Sequence, residues 1–271
     1  MKAAGIEDQQ VLWTARSKPY NRPTVDELIA AVRQACANAP PSIAGVGLCV
    51  PGLLDEKEQR ITYAANLPGL LDLSLGELIA RGTGVETDPV VVNDANATAF
   101  DIFTLRRPKG RLLVLALGTG VGASVLDDGR PLFVDGQSPG HLGQIDISLE
   151  GEPVIGPDGG RGGLEGYIGA PALAQRYGPD PASKIRPADA PFRALVRTIR
   201  ICHALYRPRH VCLAGGTGIR LGHLLNDLRT AVDTDLTLVA RADWSLFTGD
   251  SDYHAAAGAA RVAAAGDWPR C

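Results

Sequence analysis

The glycine-rich stretch Leu117–Gly122 (LGTGVG) lies between two segments whose patterns predict β-strands, Leu112–Leu117 and Val121–Leu126. Asp127–Gly129 then turns the chain into a third predicted strand, Pro131–Val134. A dinucleotide-binding fingerprint requires a helix directly after its glycines, and a P-loop requires Gly-Lys followed by Ser or Thr. Because the stretch has neither, it argues against both folds and predicts a phosphate-binding loop within antiparallel hairpins.

A second stretch, Asn93–Ala97, closes the apolar run Val90–Val92 and opens a predicted helix. The strand fixes a carboxylate at its end, and the backbone N–H groups of the first helical turn can hold an anion nearby. Asp94 is therefore a candidate catalytic base, with an N-cap for a helix beginning near Ala95 as the alternative. One carboxylate and one phosphate loop together indicate phosphoryl transfer to a hydroxyl.

The order of predicted elements before Asp94 is typical of an α/β lobe. A hairpin over 3–13 turns near Glu7–Gln9, and a helix follows that is opened by a Thr24/Glu27 capping box and stopped by Pro40-Pro41. After it come a strand from Ser42 to Val50, a helix over Leu75–Arg81, and a strand ending at Asp94. Beyond the glycine loop we predict a helix over 189–206, a strand over Val211–Leu213, and helices over 219–232 and 254–265.

Composition excludes several classes of protein. A net charge of −3 offers no basic field for nucleic acid and no polybasic segment for a membrane. The five cysteines are odd in number and widely spaced, which argues against a disulfide framework or a zinc module. No signal core or membrane-length apolar window is present in the sequence, so the cytoplasm is the expected location.

Taken together, the motifs resemble the ROK family (repressors, open reading frames, kinases), whose enzymes phosphorylate sugars with ATP. The segments that carry the resemblance are Val50–Gly52, Asn66–Gly69, Asn93–Ala97, the 118–122 loop, Gly163–Glu165 and Ala214–Thr217. The resemblance implies an α/β, RNase H-like two-lobed fold, as in actin, sugar kinases and heat-shock ATPases. It places an N-terminal lobe over 1–108, a nucleotide-binding lobe over 109–252, and a terminal helix over 253–271 that packs back on the first lobe.

The resemblance also assigns roles to individual residues. Asp94 would be the catalytic base in transfer from MgATP to a hexose hydroxyl, the 6-OH of a glucose-like sugar. The implied sugar contacts are Asn66, Asn93, His141, Gln144 and Glu165, and the implied nucleotide contacts are Gly118, Thr119, Gly120, Gly215, Gly216 and Thr217. The alternatives are plain turns for the asparagines and glycines and a solvated carboxylate for Glu165.

Departures from the family pattern leave a second hypothesis for the function open. The family's Glu-x-Gly-His segment is replaced by His141–Gln144 (HLGQ), and its cysteine positions hold Gly156, Asp158 and Gly163, so we expect no structural zinc and a loop held by other means. The family's first phosphate loop, Asp-x-Gly-Gly-Thr, would precede Met1. We therefore expect a native start about one strand upstream and weak ATP binding by the chain as given.

These departures favour the alternative function, a non-catalytic sugar-binding or regulatory relative. A repressor is disfavoured, because the chain has no room for the N-terminal helix-turn-helix of the family's repressors. A homodimer is left open.

Overall fold

The computed structural model describes residues 1–40, 42–50, 53–55, 60–63, 67–71, 73–134 and 139–266. Its internal contacts divide the chain into two compact units. Unit 1 comprises Met1–Asp101 together with the chain from Ala255 onward, and unit 2 comprises Ile102–His254. Among the described residues, no helix has the length and apolar character needed to cross a membrane.

Unit 1 begins with the predicted hairpin, which is confirmed. Strands β1 (Lys2–Glu7) and β2 (Gln10–Arg16) pair antiparallel. The turn is made by Asp8 and Gln9, whose φ angles are 48° and 67°. Two consecutive residues with positive φ match the right-handed twist of the flanking strands, which explains a turn of this length.

Helix α1 (Val25–Ala35) begins at the predicted capping box, in which Thr24 and Glu27 each accept a backbone N–H of the other. Strand β3 (Gly47–Val50) follows and is shorter than predicted. The predicted start at Ser42 is wrong, because residues 42–45 are exposed and pair with no strand in the described part of the chain. Strand β3 instead pairs in parallel with β6 (Val90–Asn93).

Between these strands lie the antiparallel pair β4 (Leu53–Asp55) and β5 (Arg60–Tyr63) and the helix α2 (Leu75–Thr83). Ser74 caps α2, and Gly84 ends it in the left-handed conformation at φ 79°. The two helices α1 and α2 approach closely, since a Cβ on Gly82 would lie 2.5 Å from a Val32 methyl carbon. Their apolar faces form the core of unit 1.

Helix α3 (Asp94–Arg106) follows β6 without a connecting residue. The last helix, α9 (His254–Ala265), packs on elements of unit 1 at two glycines: Gly258 meets the backbone of Ala97, and Gly47 meets that of Ala259. The Arg261 Nε of α9 lies 2.6 Å from Asp101 Oδ1, and both side chains are buried. The same guanidinium donates to the carbonyl of Gln9 at 2.8 Å, which ties the β1–β2 turn to α9.

Unit 2 is built on a five-stranded sheet in the order β11-β10-β7-β8-β9. Its strands are β7 (Arg111–Leu117), β8 (Val121–Asp127), β9 (Arg130–Pro131), β10 (His210–Ala214) and β11 (Ser245–Thr248). The near-continuous apolar run of β7 fits its central position, with β10 parallel on one side and β8 antiparallel on the other. The predicted third strand over Pro131–Val134 is wrong in extent, since the strand covers Arg130–Pro131.

The helices of unit 2 are α4 (Glu165–Ile168), α5 (Ala170–Tyr177), α6 (Ala190–Tyr206), α7 (Gly215–Arg220) and α8 (Leu225–Thr234). The single helix predicted over 219–232 is wrong, because α7 starts at Gly215 and a 3-10 turn over Leu221–Leu224 separates it from α8. The early start depends on Gly215. Its φ is 75°, and a Cβ there would lie 2.5 Å from the Leu117 carbonyl oxygen.

Candidate functional site

The strand-to-helix junction in unit 1 positions Asp94 at the first position of α3. Asn93 Oδ1 accepts the N–H groups of Ala95, at 3.0 Å, and Asn96, at 3.3 Å. This is the bonding pattern of an N-cap residue, so Asn93, and not Asp94, caps the helix. Asp94 Oδ1 accepts the Ala95 N–H at 2.8 Å, which fixes the carboxylate at the end of β6.

The surroundings of Asp94 favour its protonated form. Burial raises the pKa of the Asp94 carboxyl above its ordinary value, and the hydrogen bond from Ala95 opposes this rise. Burial, together with the charge of Asp94, raises the pKa of the Cys49 thiol to about 12. Burial thus disfavours the thiolate form of Cys49, which argues against Cys49 as a nucleophile, and it raises the basicity of the Asp94 carboxylate.

The glycine loop of unit 2 is the tip of the β7–β8 hairpin, as predicted. Leu117 pairs with Val121, and Gly118–Gly120 close the turn with a bond from the Gly118 N–H to the Gly120 carbonyl at 2.9 Å. Thr119 is exposed at the tip. The loop therefore presents glycine backbone and one hydroxyl, a combination suited to phosphate oxygens.

Glu165 lies against this loop, although the two are 44 residues apart in sequence. Its Oε2 accepts the Val121 N–H at 3.1 Å, and the Ala170 N–H donates to the Gly118 carbonyl at 2.9 Å. Both ends of the loop are thus held by the segment that begins at Glu165. Nothing in the sequence pattern signals this contact.

His141 and Gln144 are both exposed. His141 precedes the 3-10 turn Leu142–Gln144, and Gln144 is its last residue. The turn brings Gly143 against the loop: a Cβ there would lie 2.7 Å from the Val121 carbonyl oxygen and 3.0 Å from Glu165 Oε2. The structure therefore places three predicted segments of unit 2, the loop, the 141–144 turn and Glu165, in mutual contact.

The second predicted nucleotide segment, Gly215–Thr217, forms the first turn of α7. Gly215 approaches the Leu117 carbonyl, directly before the glycine loop, because β7 and β10 are parallel and end side by side. Thr217 is buried. Asp252, which the sequence patterns did not single out, has its Oδ1 3.2 Å from the position that a Cβ on Gly216 would occupy.

Two other predictions concern Asn66 and the metal positions. Asn66 lies outside the described residues, and the turn after it, Pro68–Leu70, packs Gly69 against the backbone of Pro23. No cluster of three or more potential ligands, counting His, Cys, Asp and Glu, occurs in the described part of the chain.

Hydrogen bonds hold the loop that contains Gly156 and Asp158. The Gly156 N–H donates to the Gly160 carbonyl at 2.8 Å, and Asp158 Oδ1 accepts the Gly160 N–H at 3.3 Å. The buried phenol of Tyr167 accepts the Leu149 N–H at 3.1 Å and donates to the Glu152 carbonyl at 2.8 Å.

Comparison with known proteins identifies sugar kinases among the relatives of this chain. The N-acetyl-D-glucosamine kinase of Escherichia coli O127:H6 is 29% identical over 194 residues, which cover 65% of this chain and 61% of that kinase. The chain thus spans less than two thirds of the length of the curated relatives it matches.

Among solved structures, a ROK family glucokinase from Streptomyces griseus, in complex with glucose and AMPPNP, superimposes with a TM-score of 0.72 at 20% identity, covering 97% of this chain and 95% of that one. A ROK family transcriptional regulator, a homolog of the E. coli MLC protein, superimposes with a TM-score of 0.68 at 19% identity. The match covers 93% of this chain and 72% of the regulator. These likenesses confirm the predicted actin-like, two-lobed fold class.

The ROK family profile matches residues 2–265, nearly the whole chain. The predicted resemblance is therefore confirmed, and this chain belongs to the ROK family.

Proposed function

We propose that the chain is a sugar kinase that transfers the γ-phosphate of ATP to a hexose hydroxyl, the 6-OH of a glucose-like sugar. The observation that carries the proposal is Asp94: a carboxylate fixed at a strand end, with a raised pKa, whose helix-capping duty is taken by Asn93. A hydroxyl becomes a nucleophile toward phosphorus when such a base takes its proton.

Unit 1 would act on the sugar through Asp94, Asn93 and Asn66. Asp94 would accept the proton of the attacking hydroxyl, while the amide groups of the two asparagines would bind neighbouring hydroxyls. In unit 2, exposed His141 and Gln144 offer an imidazole and a carboxamide, which both hydrogen-bond hydroxyls. Glu165 would add a carboxylate to the same set.

The nucleotide would be held by unit 2. Gly118–Gly120 and Gly215–Thr217 lie at the adjoining ends of β7 and β10, and close packing at Gly215 leaves no space for a side chain. Backbone of this kind fits phosphate oxygens, which need N–H donors and close approach. Mg²⁺ would be held mainly by the phosphates, since this ion keeps most of its water and takes few protein ligands.

A non-catalytic sugar-binding or regulatory relative is the second candidate. The replacement of the family's Glu-x-Gly-His by His141–Gln144 favours it, and so does the likeness to a ROK transcriptional regulator. The two candidates differ in ADP release. A coupled assay with glucose, mannose, N-acetylglucosamine and N-acetylmannosamine should yield sugar-dependent ADP for the kinase, and sugar binding without ADP for the regulator.

The residue-level test is Asp94→Asn, which keeps the side-chain shape and removes the base. We expect turnover to fall by about 10²-fold or more while sugar affinity is nearly unchanged. Asp88→Asn, an exposed carboxylate of the same unit, is the matched control. Because the pKa of Asp94 is raised, kcat should decline with falling pH at a value above the ordinary aspartate pKa of about 3.9. Near wild-type turnover in Asp94→Asn would remove Asp94 from the mechanism.

A further inference from the structure

Glu165 occupies a narrow space between two glycines. A Cβ on Gly120 would lie 3.0 Å from its Oε2, and a Cβ on Gly143 would meet the same oxygen at 3.0 Å. The carboxylate thus lies against both the phosphate loop and the 141–144 turn, at two positions where the neighbouring residue has no side chain. Within this space it accepts the Val121 N–H at 3.1 Å.

The backbone that follows Glu165 holds the other end of the loop. The Ala170 N–H bonds to the Gly118 carbonyl at 2.9 Å, and a Cβ on Gly169 would lie 3.1 Å from the Thr119 carbonyl oxygen. Gly118–Val121 is therefore clamped at one end by a side chain and at the other by a main-chain bond. A turn of glycines has little conformational preference of its own, so its shape depends on such contacts.

We infer that Glu165 is a positioning residue for the nucleotide: its Oε2 fixes the phosphate loop through the Val121 N–H, in addition to the sugar contact proposed above. One carboxylate can do both, because its two oxygens together accept about four hydrogen bonds. The inference rests on the proposed kinase function and extends it, since it makes the nucleotide affinity depend on a residue assigned to the sugar.

The first experiment measures nucleotide affinity without sugar, by calorimetry of the full chain with MgADP and MgAMPPNP. A residue that contacts only the sugar leaves this affinity unchanged. Loss of a hydrogen bond to a charged group typically weakens binding about tenfold or more, which is the expected result for Glu165→Ala. Glu165→Gln retains an acceptor oxygen and should lose only a few-fold, whereas the exposed Glu150→Ala should stay within about twofold.

The second experiment needs no ligand and reads the loop itself. Amide hydrogen exchange at Val121 should be at least about tenfold faster in Glu165→Ala than in the wild type, with most protection restored in Glu165→Gln. Unchanged protection of the β7 amides confirms that the variants are folded.

The outcomes separate the two proposals. If the wild type binds neither sugar nor nucleotide while Val121 protection depends on Glu165, the kinase proposal fails and the loop-positioning contact stands. Unchanged nucleotide affinity in Glu165→Ala overturns the inference, whatever the exchange rate. Weaker affinity with Val121 protection intact overturns it as well.

Discussion

Replacing Tyr167 with phenylalanine tests how the loop over 146–163 is held. The phenol is 1% exposed, and its oxygen bridges the Leu149 N–H and the Glu152 carbonyl. Tyr167→Phe keeps the ring in the core and removes only this oxygen. Two backbone groups then lose their partner at once, and both belong to half-buried residues, so water restores part of their hydrogen bonding.

The expected cost follows from these contacts. A typical hydrogen bond contributes roughly 0.5–1.5 kcal/mol net, so two bonds give about 1–3 kcal/mol of lost unfolding free energy. Urea unfolding of the full chain measures it, and the loop amides over 147–162 should lose exchange protection. Tyr206→Phe is the control, because its hydroxyl makes a bond to the Pro139 carbonyl at 2.9 Å and should cost about half as much. A Tyr167→Phe variant within about 0.5 kcal/mol of wild type would refute this account of the loop.

Three further predictions follow from the structure. Elemental analysis should find no stoichiometric zinc, and chelators should leave the melting temperature unchanged; one tightly bound zinc per chain would contradict this. Burial, assisted by Arg229, lowers the pKa of His203 to about 4 in the folded protein. Between about pH 4 and about pH 6.5 the unfolded state therefore binds more protons than the folded state, and the free energy of unfolding should fall as the pH drops through this range. In urea titrations, His203→Leu should lose less stability over that range, and an identical pH dependence would count against the assignment. Asp101→Asn should cost about 3–5 kcal/mol, because it leaves the Arg261 guanidinium buried without its ion pair. A loss below about 1 kcal/mol in chemical denaturation would indicate a solvent-screened pair instead.

Local signals in the sequence predicted local structure well. The capping box at Thr24 and Glu27 and the hairpin turn at Asp8–Gln9 involve residues close in sequence, so their hydrogen bonds can be anticipated from spacing alone. The order of strands around the glycine loop was predictable for the same reason, since the loop and both strands are contiguous.

Contacts between distant residues could not be predicted. The bond from Val121 to Glu165 joins positions 44 residues apart, and no periodicity encodes it. Position 215 requires glycine because its φ is positive and it approaches the Leu117 carbonyl, a tertiary contact that the sequence pattern does not reveal. The shortened β3 has a similar cause, because residues 42–45 pair with no strand among the residues that the structure describes.

The return of α9 to unit 1 has a consequence for how the protein is made. A chain emerging from the ribosome presents Met1–Asp101 first, yet the helix that meets Ala97 and pairs with Asp101 arrives only after all of unit 2. At roughly 5–20 residues per second, that delay is on the order of 10–30 s. During this interval unit 2, whose residues are contiguous, can complete its sheet. The surface of unit 1 that packs against α9 stays exposed over the same time. We therefore expect a chaperone that binds during synthesis to act on the surface of unit 1 that α9 later covers.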